Sequence, residues 1–533
     1  MITRSSWLIL AALLLASGSI HAQVTLSSLT ENNTSACPAA GRMPSHCKQP
    51  FGGHQDLRPL VATPVFDAPA GNVSDEDIHG YQAHGQQTRI FANFMLGFCT
   101  AGESESCHNN VRTGYNSDDN HTLAAQIDDL RRRHIDGAIM SWDGNGTKED
   151  EATLKFQKLV NEHGCPSAQQ CDPMYLIMYD GASMAYTVKS TGIRGTNGDG
   201  CGGRSGGRYE DCVVAHIRND MCYMNGMHWG NSAYLKANGR PVVQIFPSER
   251  VIPATGSAPS WADVWKHVDE WNRKLPKNCG KAPYNADNGV PMILFENAAG
   301  FTHVASSGAY DWVRVSGTDP SNDQFRFNIS ARSDSRQTLD QFYEAARQHP
   351  GMQVWGAAFK GFNSSKSAWG TNRILDQACG RLWMASLVDS NRFYTDTPLP
   401  YLQIVTWNDY NEGTEIETGI DNCYTVAASA NGTTLTWALQ TNNAAASLST
   451  VSHIEIYDSV DGENLTLLAS VPAAASGTLS LAALRPGAHR IFVLMVGRNS
   501  ILNRISPPVP FSKQASAGRS GADSVSGGAL AAP

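Results

Sequence analysis

From residue 89 onward, short and nearly continuous apolar runs alternate with segments of helical period. The runs are 89–97 (RIFANFMLG), 137–142 (GAIMSW), 174–180 (MYLIMYD), 241–246 (PVVQIF), 290–296 (VPMILFE), 311–316 (DWVRVS), 353–359 (QVWGAAF) and 401–407 (YLQIVTW), eight in all. Runs of this length without a polar face fit strands buried on both sides, as in a parallel sheet. Between them, 122–135 places Leu123, Ile127 and Leu130 on one face, and Thr147 precedes an acidic turn in a helix that Gly164 ends. Ser260, with Asp263 three residues on, caps a stripe of Val264, Trp265, Val268, Trp271 and Leu275. Further helices are expected at 337–349, before Pro350, and at 371–388, through Ile374, Leu375, Ala378, Leu382 and Leu387. Eight strand–helix alternations predict an α/β fold, a (β/α)8 TIM barrel over 89–424, with a doubly wound sheet as the competing topology.

After Cys423 the pattern becomes one of short alternating stretches. They lie at 433–440, 453–458, 465–471, 478–481 and 489–496, and turn pairs such as Asn431-Gly432, Asp461-Gly462 and Pro486-Gly487 separate them. This predicts a small C-terminal β-sandwich over 425–512, immunoglobulin- or fibronectin III-like. Trp437 and Tyr457 are its few candidates for an exposed aromatic, so bracing the barrel is favoured over binding polymer. Residues 23–88 read as a polar lead-in and 513–533, rich in Ser, Gly and Ala, as a disordered tail.

Composition narrows the partners. The 533 residues carry 41 Lys and Arg against 49 Asp and Glu, a net charge of −8, so no nucleic-acid partner is expected. Arg131-Arg132-Arg133, the nearest approach to a basic cluster, reads as the solvated face of a helix. Residues 1–22 have a positive start at Arg4, an apolar run from Trp7 to Leu15 and small residues up to Ala22, the pattern of a secretory signal peptide. The run falls short of the ~20 residues of a spanning helix, and no later segment is membrane-like, so no membrane association is expected once the signal is removed. All twelve cysteines follow this signal, which favours disulfides in a secreted or periplasmic protein, with 37/47, 99/107 and 165/171 as staples of surface loops. Neither CxxC nor HExxH occurs, and no metal or cofactor is expected.

In a barrel the chemistry belongs at the C-terminal ends of the strands. The residues closing the runs there are Trp142 and Asp143, Asp180, Glu296 and Asn297, and Trp407-Asn408-Asp409-Tyr410-Asn411-Glu412-Gly413. Carboxylates and indoles gathered at one rim suit sugar chemistry, with acids to transfer protons and flat rings to lie against pyranoses. Asp409 and Glu412, three residues apart, can share one site and drive each other's pKa values apart. The plainer reading is an N-capping loop, with Asp409 as cap and Glu412 as its capping-box partner. Glu415 and Glu417 read as structural or surface residues.

The pieces Phe91-Ala92-Asn93-Phe94-Met95, Ile135-Asp136-Gly137, Met178-Tyr179-Asp180 and Trp407-Asn408-Asp409 with Glu412 resemble the glycoside hydrolase family 71 proteins, the endo-α-1,3-glucanase or mutanase group. More remotely, they resemble the family 99 endo-mannosidases. The likeness spans 89–424, and its most specific part is the last piece. It implies a secreted hydrolase of α-glycosidic bonds in a polysaccharide, with an α-glucan as substrate and Asp409 and Glu412 as the catalytic pair, Glu412 being the general acid. Trp142, Asp143, Asp180, Glu296, Asn297, Trp407, Asn408 and Tyr410 would bind substrate. Asn93 stands where family 71 usually has His, so an ionisable role there is lost, and Ser141-Trp142-Asp143 replaces the more usual Leu-Asn. The alternatives are a family 99-like endo-α-mannanase and a carbohydrate-binding protein without turnover.

Other matches are discounted. Gly198-x-Gly200-x-x-Gly203 and Gly203-x-Ser205-x-Gly207 lie in one Gly-rich loop between Cys201 and Cys212, with no strand leading into it. His216, His228 and His303 lack ligand spacing, and Asp143-x-Asn145-x-Thr147 is explained more simply as a helix start than as a calcium loop.

Overall fold

The computed structural model describes residues 72–99, 109–110, 116–117, 119–167, 170–181, 209–246, 279, 285–315, 334–365, 373–462 and 464–514. The signal and most of the lead-in, the helix expected at 260–275, the Gly-rich loop at 198–207, the cysteine pair 37/47, Cys107 of the pair 99/107 and the tail beyond 514 lie outside them.

Eight parallel strands form a closed barrel: β1 (Arg89–Phe94), β2 (Gly137–Trp142), β3 (Met174–Asp180), β4 (Arg240–Phe246), β5 (Met292–Glu296), β6 (Gly308–Tyr310), β7 (Gln353–Ala358) and β8 (Tyr401–Ile404). Each pairs with its sequence neighbour, and β8 pairs with β1 through Tyr401↔Arg89 and Gln403↔Phe91. Residues in parallel register share a face. Gln244 on β4 donates to Gln403 on β8 at 3.0 Å although the two strands are not neighbours, so this face is the barrel interior. Phe91 belongs to the same face, tilted 5.2 Å from Trp355, which stacks on Tyr401 at 4.3 Å. Gly137 is glycine for want of room: a Cβ there would run into the Phe91 ring and the Met174 carbonyl.

Helices α1 (Asn120–Arg132), α2 (Lys148–His163), α3 (Tyr209–Met227), α4 (Asp334–Gln348) and α5 (Arg381–Asp389) accompany the strands. Asp119 caps α1 by accepting the Thr122 amide at 2.8 Å, and Leu123, Gln126, Ile127 and Leu130 are its buried stripe. Thr147 caps α2 as expected, and Gly164 ends it.

Two elements differ from the pattern. The sixth strand is Gly308–Tyr310; the Asp311 amide makes its last bond to β7, donating to the Trp355 carbonyl at 3.0 Å, and Trp312 to Val315 continue outside the sheet with Val313 and Val315 buried. The alternation of 311–316 reflects that packing, whereas the ladder lies at and just before Asp311. The segment 371–388 is not one helix: Ile374–Leu375 pairs with Phe362–Asn363, and the chain turns through Ala378, Cys379 and Gly380, all at positive φ, before α5 begins. Cys379 is tied there to Cys423, and the other bridges are Cys165–Cys171, as expected, and Cys222–Cys279.

The C-terminal part has two antiparallel sheets. One contains β9 (Thr425–Asn431), β10 (Thr434–Gln440) and β13 (Ser476–Ser480). The other contains β11 (Val451–Ser459), β12 (Thr466–Pro472), β14 (Gly487–Gly497), β15 (Arg504–Ile505) and β16 (Val509–Lys513). Leu435, Trp437, Ile454, Ile456, Ile491 and Met495 unite them in one apolar cluster. Trp437 and Tyr457 are both buried, at 3% and 6% exposure, so neither offers an aromatic face to a polymer. The join to the barrel is polar and apolar together: Trp383 donates to the Asn499 carbonyl at 2.9 Å, Asn499 donates to the Arg133 carbonyl at 3.1 Å, and Ile501 enters the barrel's own cluster.

Candidate active site

The loop after β8 folds back on itself. The Thr406 amide donates to the Thr414 carbonyl at 3.2 Å, their hydroxyls meet at 2.9 Å, and the Thr414 amide donates to the Asp409 carbonyl at 3.1 Å. Asp409 sits inside this turn, 5% exposed. Its Oδ1 accepts the amides of Asn411 and Glu412, each at 3.0 Å, so Asp409 caps a single turn that places Glu412 on the partly exposed side; no helix follows, and the Asp409 amide donates to Thr406 Oγ1 at 2.9 Å where a capping box would have it meet Glu412. Burial pushes the Asp409 carboxyl up to about 8, with the Glu412 charge adding to the effect, and the two amides offset only part of it. Both influences favour the protonated form of Asp409.

Two supports hold this turn. On one side, Asn363 donates its amide to the Glu412 carbonyl at 2.6 Å, and Lys360, two residues beyond β7, places Nζ 2.8 Å from Glu415 Oε1. On the other, Tyr410 donates to Glu417 Oε2 at 2.6 Å while Gln126 of α1 donates to Glu417 Oε1 at 2.7 Å. Arg133 is 1% exposed and donates to the carbonyls of Ile416 at 2.8 Å and Glu417 at 2.5 Å, with its guanidinium 4.9 Å from the Trp407 ring. The expectation of a solvated Arg131-Arg132-Arg133 face therefore fails at Arg133. A triplet of like residues conceals that the third falls on the side of α1 facing the loop.

The nominated substrate-binding residues divide. Asp143, Asp180, Glu296, Asn297 and Tyr410 are partly exposed at the barrel mouth. Register places Asp180 beside Phe246 and Glu296 beside Tyr310, and the charges of Glu296 and Asp180 join burial in raising the Tyr310 phenol. Asn297 spends its side chain on the Ala299 amide at 2.9 Å, as the cap of a short turn. Trp142, Trp407 and Asn408 are 0% exposed, which corrects the expectation that they meet substrate. The Trp407 ring lies parallel to Phe94 at 6.5 Å, and Asn408 brackets Met95 through its amide (2.7 Å) and carbonyl (3.0 Å). Trp142 alternates outward from the barrel and donates to Asp150 at 2.9 Å.

Asp150 also receives Tyr223 at 2.6 Å and the Gly146 amide at 3.0 Å, with His228 Nε2 at 3.2 Å. These partners hold its carboxyl below the ordinary range although burial acts the other way. His228 is thus structural. His303 stacks on Phe295 at 3.6 Å, where burial brings it down to about 4, and His216 lies 3.3 Å from Asp220. Asn93 is buried and donates to the Ile404 carbonyl at 3.2 Å.

Sequence reading passed over three residues that bear on the site. Lys360 lies past an apolar run and carries no motif. Arg133 is hidden in the basic triplet. Asp311 closes β6 instead of opening it; it is 1% exposed with neither carboxylate oxygen hydrogen-bonded, and burial together with the Glu296 charge drives its pKa far upward. The signal that could have found it is the Gly308-Ala309-Tyr310 run just before it, small enough at its first two positions to be the strand.

No protein-family model matches the chain, and no curated protein does. Among solved structures, it is similar to the glycoside hydrolase family 99 endo-α-mannosidase of Bacteroides thetaiotaomicron, at 12% identity over 62% of this chain and 87% of that one, TM-score 0.38. A glycoside hydrolase-like protein is similar at 13% identity, 62% and 86% coverage and TM-score 0.39. The β-glucuronidase 3 of Bacteroides uniformis is similar at 9% identity, 79% and 49% coverage and TM-score 0.36. Similarities this faint add nothing to what the chain's own residues say about chemistry.

Proposed function

We propose that the chain is a secreted glycoside hydrolase that cleaves α-glycosidic bonds inside a polysaccharide, an α-1,3-glucan first among candidates. Asp409 and Glu412 would be its catalytic pair, with Glu412 as the general acid. The observation that carries this reading is the pairing of a buried Asp409, whose carboxyl is held above its ordinary range, with a partly exposed Glu412 in one turn at the C-terminal end of β8. Two carboxyls one turn apart influence each other's ionisation, so the pair would hold its proton more tightly than an isolated acid. Glu412, the member with solvent access, would meet the glycosidic oxygen and act as the general acid, and the buried Asp409 would be its partner in holding and returning the proton.

Asp143, Asp180 and Glu296 at the mouth would accept hydrogen bonds from sugar hydroxyls. Disulfides at Cys165–Cys171, Cys222–Cys279 and Cys379–Cys423 support an oxidising compartment. The two C-terminal sheets would be an immunoglobulin- or fibronectin III-like sandwich that braces the barrel, a role supported by the bonds of Asn499 and the insertion of Ile501.

The test is a panel of α-glucans and α-mannans incubated with the wild type and with Glu412→Gln, followed by reducing-end release and the anomer of the product. Release from an α-1,3-glucan that the variant lacks supports the reading; release from α-mannan alone moves the substrate. No release from any member refutes it, and equal release by the variant removes Glu412 from its role.

A further inference from the structure

Three carboxylates follow at intervals of three in the loop after β8: Asp409, Glu412 and Glu415. Lys360 brings a cation to them from the neighbouring β7 loop, its side chain 7% exposed and 2.8 Å from Glu415, which is itself 17% exposed. Among the described residues Glu415 is the hydrogen-bond partner of Lys360, and the second Glu415 oxygen has none. A buried ion pair with an unsatisfied oxygen is a poor source of stability, because both ions lose hydration and one bond returns little of it. Its position suits a different purpose. Asp409 feels Glu415 as well as Glu412, so a bare charge at Glu415 would tighten the hold of the pair on its proton.

We propose that Lys360 is a positioning residue acting through Glu415: it cancels the third carboxylate, so that Asp409 and Glu412 titrate as a pair sharing one proton, and it thereby sets the pH at which that proton is lost. The inference rests on the acid–base reading of Asp409 and Glu412. Among the described residues, the groups facing this cluster are few. From the β8 loop come Asp409, Glu412 and the neutral Thr406 and Thr414; from the β7 loop come Lys360 and Asn363, with Arg373 packed over the Phe362 ring at 5.7 Å. On the α1 side, Glu417 is occupied by Gln126 and Tyr410, and Arg133 holds its backbone.

Charge arithmetic gives opposite signs for the two single variants. Lys360→Met leaves Glu415 uncompensated and moves the titration of the pair up by about one pH unit, the size expected of one elementary charge within the reach of a loop. Glu415→Gln leaves the ammonium uncompensated and moves it down. Lys360→Met/Glu415→Gln removes both charges and returns it to the wild-type position, and Lys360→Arg leaves it there. A role in packing alone would give no such reversal.

Two readouts separate this inference from the functional reading. The infrared band of the protonated carboxyl, assigned by its loss in Asp409→Asn, is followed against pH in each variant and needs no turnover. The pH–rate profile on the polysaccharide that is cleaved is the second. Opposite displacements in the single variants, with reversal in the double, support the role of Lys360. If the band moves so while the rate profile stays still, the charge role stands and the acid–base reading falls. A band that keeps its wild-type midpoint in Glu415→Gln and in Lys360→Met overturns the proposal; should Lys360→Met fail to fold, an unmoved band in the isosteric Glu415→Gln does so alone.

Discussion

Asp409→Asn should abolish activity and yet make the protein more stable in alkaline solution. The Asp409 carboxyl has an ordinary value of 3.8 and is raised to about 8 in the fold, first by burial and then by Glu412. Between these values the unfolded chain has lost the proton and the native chain retains it, so the unfolded state gains relative stability as pH rises from about 4 to about 8. Once both states are ionised the accumulated cost reaches ~6 kcal/mol as a ceiling, at about 1.4 kcal/mol for each pH unit between the two values. Sharing of the proton with Glu412 and relaxation of the turn lower it, and about 2 kcal/mol is expected in practice. Asn is nearly isosteric, and its Oδ1 can still accept the Asn411 and Glu412 amides that Asp409 accepts at 3.0 Å. The assay is the thermal midpoint of both proteins from pH 5 to pH 9. The difference should be small at the acid end and grow in favour of Asp409→Asn up to about pH 8, while the rate falls by roughly 10²–10⁴ as for a lost acid or base. Parallel midpoints at every pH would refute the argument, since they would mean that Asp409 titrates alike in both states.

At the opposite end of the barrel, His79 lies between Asp77 at 2.9 Å and Asp136 at 3.0 Å, and these carboxylates raise it above 6.5 although burial, the largest single influence, lowers it. Its contribution is fully present below 6.5 and lost as pH rises through its folded value, so the midpoint gap between wild type and His79→Gln should narrow from pH 5.5 to pH 8.5. Arg133→Met should cost about 2–4 kcal/mol by urea titration, because the carbonyls of Ile416 and Glu417 lose their buried donor. Replacing Cys379 and Cys423 by Ala opens a bridge across 44 residues and should cost ~4 kcal/mol if loop entropy dominates, read from the same titration against the oxidised wild type.

The barrel was legible in the sequence because strands buried on both faces leave continuous apolar runs, and seven of the eight runs overlap the strands they predicted. Thr147 and Gly164 were legible for a similar reason, since caps act within a few residues. Asp409 and Glu412 stood out because they close the eighth run three residues apart, in the piece that carries the family resemblance most specifically. What could not be read depended on partners far along the chain. Trp142 is the nominated stacking ring only until Asp150, Tyr223 and His228 surround it, and two of these lie on or just past α3. Asp311 was misplaced because an alternating stretch packs like a strand whether or not its amides join a ladder. Arg133 and Lys360 act on backbone and carboxylates more than fifty residues away, a relation that no local pattern records.

The turn at 406–417 is best understood as a destabilising feature held from two sides. Asp409 buries a carboxyl that would ionise in water at neutral pH, the charges of Glu412 and Glu415 add to that cost, and the turn is tied down on both limbs. Gln126, Arg133 and Glu417 anchor the outer limb to α1, while Asn363 and Lys360 anchor the inner limb to the β7 loop. Such an arrangement makes the sign of a substitution diagnostic of its place. Removing an anchor such as Arg133 lowers stability and activity together, whereas removing the Asp409 charge lowers activity and raises stability. A turn whose carboxylates served only to cap and to solvate the chain would show the first sign at every position, because its acids would then stabilise the fold that carries them.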